Sequence, residues 1–279
     1  MDLKLTGQTA LITGSTAGIG FAIAQRLLAE GCDVIINGRG HERVDAALAE
    51  LRAGFEDNGP SGGGPHPHHK GTGSVRGVAA DVSTTEGCAA LVAAVPQVHI
   101  LVNNAGMYAP VPFEEITDAQ WNDIFQANVM SGIRLSRHYL PLMLKANAGR
   151  IVFISSESAV CTPTEMIHYG MSKTAQLAIS RGLAQRCAGT AVTVNSVLPG
   201  PTWSEGVEQF VKDLAAASGS TASAVEADFF KTARPNSLLK RFATNQEVAN
   251  MVAFVASPLA SATNGAALRC EGGIVPTIA

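Results

Sequence analysis

The chain has 279 residues, long enough for one large domain with a substantial buried core. Hydrophobic residues make up 46%, charged residues 15%, the net charge is −3 and the mean hydropathy is +0.17. No nucleic-acid surface and no membrane span is therefore expected. The five cysteines (Cys32, Cys88, Cys161, Cys187, Cys270) are scattered without a C-x-x-C pair, and Met1 to Leu5 carries no basic stretch leading into an apolar run. Reduced thiols, no secretory leader and a cytoplasmic location are the expectation.

Strand-like and helix-like segments alternate from the start. That alternation predicts an α/β fold, a Rossmann-like doubly wound parallel sheet of about seven strands in three layers, α/β/α. Thr9 to Thr13 reads as a buried strand and Gly18 to Glu30 as a helix. Asp33 to Asn37 is the second strand, followed by a helix over His41 to Arg52 with Val44, Ala47, Leu48 and Leu51 at helical spacing. Val75 to Ala79 is the third strand, after which Ser83-x-x-Glu86 reads as a capping box. His99 to Asn103 is the fourth strand, and Thr117-x-x-Gln120 opens a long helix toward Leu144, bent or tightened around Pro141. Gly149 to Ser155, a helix over His168 to Cys187, and Thr190 to Val197 follow. Thr244-x-x-Glu247 opens a last helix that stops before Pro258, and Ala267 to Cys270 is a final strand.

Two segments depart from this rhythm within one domain spanning 1–279. Asp57 to Ser74 is rich in Gly, Pro and His and predicts a mobile surface insert. Its histidines, His66, His68 and His69, lack Cys or acidic partners at ligand spacing, so no metal is expected. Trp203 to Leu239 combines apolar residues with the small-residue stretch Ala215 to Ala224, reading as helices around a turn, either a lid over a site or an ordinary helical excursion.

Between the first strand and its helix lies Thr13-Gly14-Ser15-Thr16-Ala17-Gly18-Ile19-Gly20. Glycines there allow a tight turn and a close approach of backbone to a pyrophosphate, which the helix N-terminus favours with free N–H groups. The second strand ends Asn37-Gly38-Arg39, without the acid that would bind two ribose hydroxyls. Arg39, helped by Arg43, favours a 2′-phosphate and hence NADP(H), with NAD(H) left open. Asp81-Val82 is placed to bracket an adenine, or Asp81 merely starts a helix.

Tyr169 and Lys173 stand four apart, on one face of a helix. A phenol is a poor proton donor or acceptor near neutrality, and a nearby ammonium lowers its pKa toward the working range. Ser156 follows a strand end, where its hydroxyl can meet a carbonyl oxygen that gains charge.

With these residues in place the chain resembles a short-chain dehydrogenase/reductase over nearly its whole length. Thr13 to Gly20 matches the family's TGxxxGxG form, Asn103-Asn104-Ala105-Gly106 reads NNAG, and Pro199-Gly200 follows the sixth strand. Ser156 lies 13 residues before Tyr169, and Asn128 lies 28 before Ser156. The resemblance implies hydride transfer between a nicotinamide and a secondary alcohol or ketone, of the 3-oxoacyl-carrier-protein reductase or polyol/sugar dehydrogenase type. It implies Tyr169 as general acid/base, Lys173 as lowering the Tyr169 pKa and holding the ribose, Ser156 as polarising the carbonyl, and Asn128 as anchoring a relay water. It further implies cofactor contacts from Gly14, Ser15, Thr16, Gly18, Ile19, Gly20, Asn104, Ala105, Gly106, Pro199, Gly200 and Thr202. A homotetramer or dimer is also implied, with the helices beginning at Thr117 and His168 at the interface.

Two departures stand out. Ala17 replaces the usual basic residue of the loop, so the preference for NADP(H) rests on Arg39. Glu157 is an unusual acid beside the serine, and is expected to point away rather than to read a polar substrate. Two alternatives remain beside the leading reading: an enoyl-reductase type, which usually has a wider Tyr–Lys spacing, and a catalytically idle dinucleotide-binding protein, which would be expected to lose Tyr, Lys or Ser.

Overall fold

The computed structural model describes residues 1–56 and 73–278. The elements β1 (Thr9–Ile12), α1 (Gly18–Ala29), β2 (Asp33–Gly38), α2 (His41–Glu56), β3 (Val75–Ala79), α3 (Thr85–Ala94) and β4 (Ile100–Asn103) form the first half. After α4 (Asp118–Phe125) and α5 (Ser131–Ala146) come β5 (Gly149–Ile154), α6 (Ile167–Arg186) and β6 (Val192–Pro199). The helices α7 (Glu205–Ser218), α8 (Ala222–Thr232) and α9 (Asn245–Ala256) precede the last strand, β7 (Ala267–Cys270).

All seven strands pair in parallel, in the order β3-β2-β1-β4-β5-β6-β7. The chain winds outward from β1 in one direction and, after β3, resumes at β4 on the other side. The β1–β4 junction, with Ala10 opposite Ile100, is thus a switch point where crossover connections diverge and leave a crevice at the strands' C-terminal ends. The strands are buried on both faces, as the near-continuous apolar runs demand. One core joins the sheet to α1, α2 and α9 through residues such as Ile23, Leu27, Val44, Leu51, Val248 and Val252. The other joins it to α3, α5 and α6 through Leu91, Leu135, Tyr139, Phe153 and Ala184. A third, smaller cluster (Val211, Val225, Phe230, Phe242) ties α7 and α8 together.

The architecture agrees with the pattern read from the sequence, with two local differences. The N-cap of α3 is Thr84, which accepts from the Gly87 N–H, whereas Ser83 donates to Asp81 and so belongs to the preceding turn. The long helix is interrupted at Gln126–Met130 rather than at Pro141, which lies inside α5. There the Ser131 N–H reaches back five residues to the Gln126 carbonyl, a π turn of the kind often found at functional sites. The capping boxes at Thr117/Gln120 and Thr244/Glu247 are both formed. Most of the Asp57 to Ser74 insert, with His66, His68 and His69, lies outside the described residues. Among the described residues no helix is long and apolar enough to cross a membrane.

Candidate active site

The loop after β1 is shaped by glycines. Gly14 and Gly18 adopt positive φ (60° and 56°), a region that side chains avoid. A side-chain carbon at Gly20 would lie 2.5 Å from both the Gly14 carbonyl and the Asn104 amide nitrogen. Asn104 holds the loop to the end of β4, donating to the carbonyls of Thr13 (2.9 Å) and Gly14 (2.8 Å), while Thr13 Oγ1 accepts from the Asn104 and Ala105 N–H groups. Ser15 faces inward. Its hydroxyl donates to Ile12 (2.7 Å) and accepts from the Asn37 N–H, and its own N–H donates to Asn37. It therefore stiffens the loop, with both of its donors engaged inside the protein.

In front of this loop is a cleft of about 560 Å³, reaching from Gly14, Thr16 and Ala17 past Arg39 and Arg43 to Asp81, Val82, Ala105 and Gly106. Size and lining suit a dinucleotide: bare backbone at a helix start, two guanidiniums at the end of β2, and small residues along the NNAG turn. Asp81 accepts from both the N–H and the hydroxyl of Ser83, so it opens the turn before α3 while lining the cleft. Thr202 is buried and donates to the Gly200 carbonyl, and Gly200 passes so close to Glu271 that a side chain would lie 2.7 Å from its carbonyl.

At the other end, β5 delivers two adjacent serines with different fates. Ser155 donates to the Lys173 carbonyl (2.9 Å), anchoring α6 to the strand. Ser156 lies beside the Tyr169 hydroxyl, where its hydrogen bond favours the phenolate. Tyr169 and Lys173 share one face of α6, as their spacing requires, and the ammonium sits 5.6 Å from the phenol ring centroid. Lys173 Nζ donates to the Ile154 carbonyl (2.8 Å), and Gly106 of the NNAG turn passes close to it. Burial brings the ammonium down to about 8, and the Glu157 charge opposes that fall. The phenol, contrary to the expected lowering, is pushed up, chiefly by burial and further by Glu157 and Tyr108, with Ser156 acting the other way. The ammonium, over the phenol ring, does not offset the effect of burial.

Glu157 does not point away. Its side chain is buried, and Oε2 accepts from Ser156 Oγ at 2.5 Å. Its other oxygen faces Arg234 at 3.8 Å, in the segment after α8, and Arg234 also pairs with Glu165 at 3.3 Å. Burial raises the Glu157 carboxyl above the ordinary carboxylate range, with Ser156 and Arg234 opposing. The α7–α8 segment is thus tied to the site by a charged contact that no local sequence signal announced. Tyr108, edge-on to Tyr169 with ring centroids 6.1 Å apart, is a second residue not foreseen from the sequence.

Asn128 lies in the π turn and is hydrogen-bonded through both its side chain and its backbone. Its side chain bridges the Met107 backbone and Ser172 Oγ, and its carbonyl accepts from Gln176 Nε2 at 2.6 Å. Gln176 was detectable in principle, since it lies three residues after Lys173 on the same helix face.

A family model described as short chain dehydrogenase matches residues 8–59, and one described as Enoyl-(Acyl carrier protein) reductase matches residues 66–275. The chain belongs to the short-chain dehydrogenase/reductase family. It is similar to the oxidoreductase YvrD of Bacillus subtilis, 46% identical with both chains covered in full. It is also similar to the 3-oxoacyl-[acyl-carrier-protein] reductase FabG of Aquifex aeolicus, 30% identical over 98% of this chain and 100% of the relative. Among solved structures, L-sorbose reductase from Gluconobacter frateurii complexed with NADPH and L-sorbose superposes with a TM-score of 0.89 at 29% identity, both chains covered in full. The chain is accordingly an NAD(P)-dependent oxidoreductase of this family, acting between a carbinol and a carbonyl group.

Proposed function

We propose that this enzyme reduces a polar, hydroxyl-bearing ketone with NADPH, or oxidises the corresponding secondary alcohol with NADP. The convergence of Ser156, Tyr169 and Lys173 beside the cleft behind Gly106 carries the reading. Arg39 and Arg43 would hold the 2′-phosphate, the backbone at Gly14, Thr16, Gly18 and Ile19 the pyrophosphate, and Lys173 the ribose. Gly20 admits that approach, Ala105 and Gly106 flank the bound molecule, Asp81 and Val82 the adenine, and Pro199, Gly200 and Thr202 the carboxamide end. The bound cofactor supplies the hydride. Tyr169 supplies or removes the proton at the substrate oxygen, Ser156 orients that oxygen, and Asn128 fixes the inner wall through Met107 and Ser172.

The NADPH and L-sorbose of the Gluconobacter frateurii structure support both cofactor and substrate class, as do the charged side chains of Glu157, Glu165 and Arg234 beside the site. The Tyr–Lys spacing of four weighs against C=C reduction, and the intact Ser, Tyr and Lys weigh against an idle binder. The whole chain works in this reading as one unit, with 203–239 as the wall nearest the substrate, in a cytoplasmic homo-oligomer.

The deciding experiment is Tyr169→Phe, assayed with NADPH and both L-sorbose and 2,3-butanedione. Turnover is expected to fall by about 10²-fold or more, as loss of a general acid does, while NADPH binding followed by fluorescence stays within about threefold. Retained turnover would remove Tyr169 from the chemistry.

A further inference from the structure

Ser156 can donate only one hydrogen, and in this structure it is directed at Glu157. A serine hydroxyl has one donor and two acceptor positions. Here Oγ donates to Glu157 Oε2 at 2.5 Å and accepts from the Ser158 N–H at 3.1 Å. On its other side the same hydroxyl is in hydrogen-bond contact with Tyr169, where turning its hydrogen toward the phenol oxygen favours the phenolate. The three oxygens of Tyr169, Ser156 and Glu157 therefore form one chain from the reacting position into the protein.

We propose that Glu157 is the proton store for Tyr169, exchanging with it through Ser156, so that reduction starts from the Glu157 carboxylic acid and oxidation from the carboxylate. This rests on the dehydrogenase reading above. In reduction, the hydride adds to the carbonyl carbon and the substrate oxygen takes the Tyr169 proton. The phenolate takes the Ser156 proton, and Ser156 takes the Glu157 proton, leaving a carboxylate that water later reprotonates. One proton and one hydride are consumed per ketone, as the balance requires. Oxidation runs the same chain backward: the alcohol proton passes by way of Tyr169 and Ser156 to Glu157, while the hydride leaves the carbon.

The surroundings of Glu157 suit a group that alternates between the two states. Burial favours the acid, while Arg234 on one side and the Ser156 hydroxyl and Ser158 on the other favour the carboxylate. From α6, Tyr169 is raised by the Glu157 charge, and Lys173 feels the same charge in the opposite sense. From the turn before α6, Glu165 shares Arg234 and so weakens its hold on Glu157. Tyr108 faces Tyr169 edge-on.

The test uses the full-length enzyme with NADPH and 2,3-butanedione across the pH range, together with infrared spectra of its carboxyl groups. For the wild type, kcat/KM for reduction is expected to fall as pH rises through the titration of Glu157. Glu157→Gln, which can hydrogen-bond but cannot store a proton, is expected to lose that limb of the profile. Its kcat should fall about tenfold while KM stays within about twofold, a kcat effect that mere misplacement of substrate would not isolate. A protonated-carboxyl band should titrate in the wild type, vanish in Glu157→Gln and shift in Ser156→Ala. A Glu157→Gln enzyme with unchanged kcat and pH profile, or a band indifferent to Ser156→Ala, overturns the proposal. Absence of wild-type turnover with 2,3-butanedione and L-sorbose would strike the proposed substrate class instead, and the carboxyl band would still decide whether Glu157 and Ser156 share a proton.

Discussion

Gln176 donates from its side-chain amide to the backbone carbonyl of Asn128, 2.6 Å away and 48 residues earlier in the chain. Its oxygen faces Lys173 Nζ at 3.4 Å, so one amide joins the π turn to the lysine. All three residues are buried. Removing the amide leaves a carbonyl without its donor, a loss of about 1–3 kcal/mol. Gln176→Leu is therefore expected to lower the denaturation free energy by that amount and to reduce kcat for ketone reduction more than it weakens NADPH binding. Unfolding curves with unchanged midpoints would show that the bond contributes nothing.

Arg39 lines the cleft at the end of β2, next to Gly38, whose lack of a side chain leaves room for Thr16. A charge-assisted hydrogen bond to a phosphate contributes about 1.5–3 kcal/mol. Arg39→Asp should accordingly weaken NADPH binding by about tenfold or more and leave NADH binding equal or tighter, measured by cofactor fluorescence. If the ratio of the two affinities does not move, the 2′-phosphate is recognised elsewhere.

How far the sequence reveals this site depends on how local each determinant is. The turn after β1 is legible because its glycines, its strand and its helix are neighbours in sequence. Tyr169 and Lys173 are legible because four residues on a helix fix a common face. The orientation of Glu157 is not, because it depends on Ser156 beside it and on Arg234, which arrives from beyond α8. The Asn128 carbonyl is equally hidden: only the π turn and the packing of α6 bring Gln176 to it. Ser83 and Thr84 differ by one position and both can cap, so the choice between them rests on which hydroxyl meets the Gly87 N–H.

Gly20 is the position where the nucleotide loop tolerates least. A methyl group there would lie 2.5 Å from the Gly14 carbonyl and from Asn104 Nδ2, and 2.9 Å from Ser15 Cα. Two of these atoms are backbone, and the third is fixed by bonds to Thr13 and Gly14, so the loop itself must shift. Gly20→Ala is expected to destabilise the protein by about 1–3 kcal/mol, the usual penalty for overpacking. The rise in melting temperature that NADPH gives the wild type should also largely disappear. A variant still stabilised by NADPH as strongly as the wild type would mean that the loop does not hold the cofactor.

Glu247 offers a test of stability that leaves the chemistry untouched. It completes the capping box of α9 with Thr244 and pairs with Arg241 at 2.8 Å. The Arg241 bond, followed by the Thr244 N–H, lowers its carboxyl from the ordinary 4.5 to about 2. Because the folded value lies below the unfolded one, the stabilisation is fully present above about 4.5 and is lost as pH falls toward about 2. Both partners are substantially exposed, so solvent and salt reduce the effect. Glu247→Gln keeps the cap geometry but carries no charge. Its melting temperature should lie below that of the wild type at neutral pH, and the gap should close on acidification through that window. A gap that stayed constant down to the lowest pH would assign the effect to packing of the side chain and not to its charge.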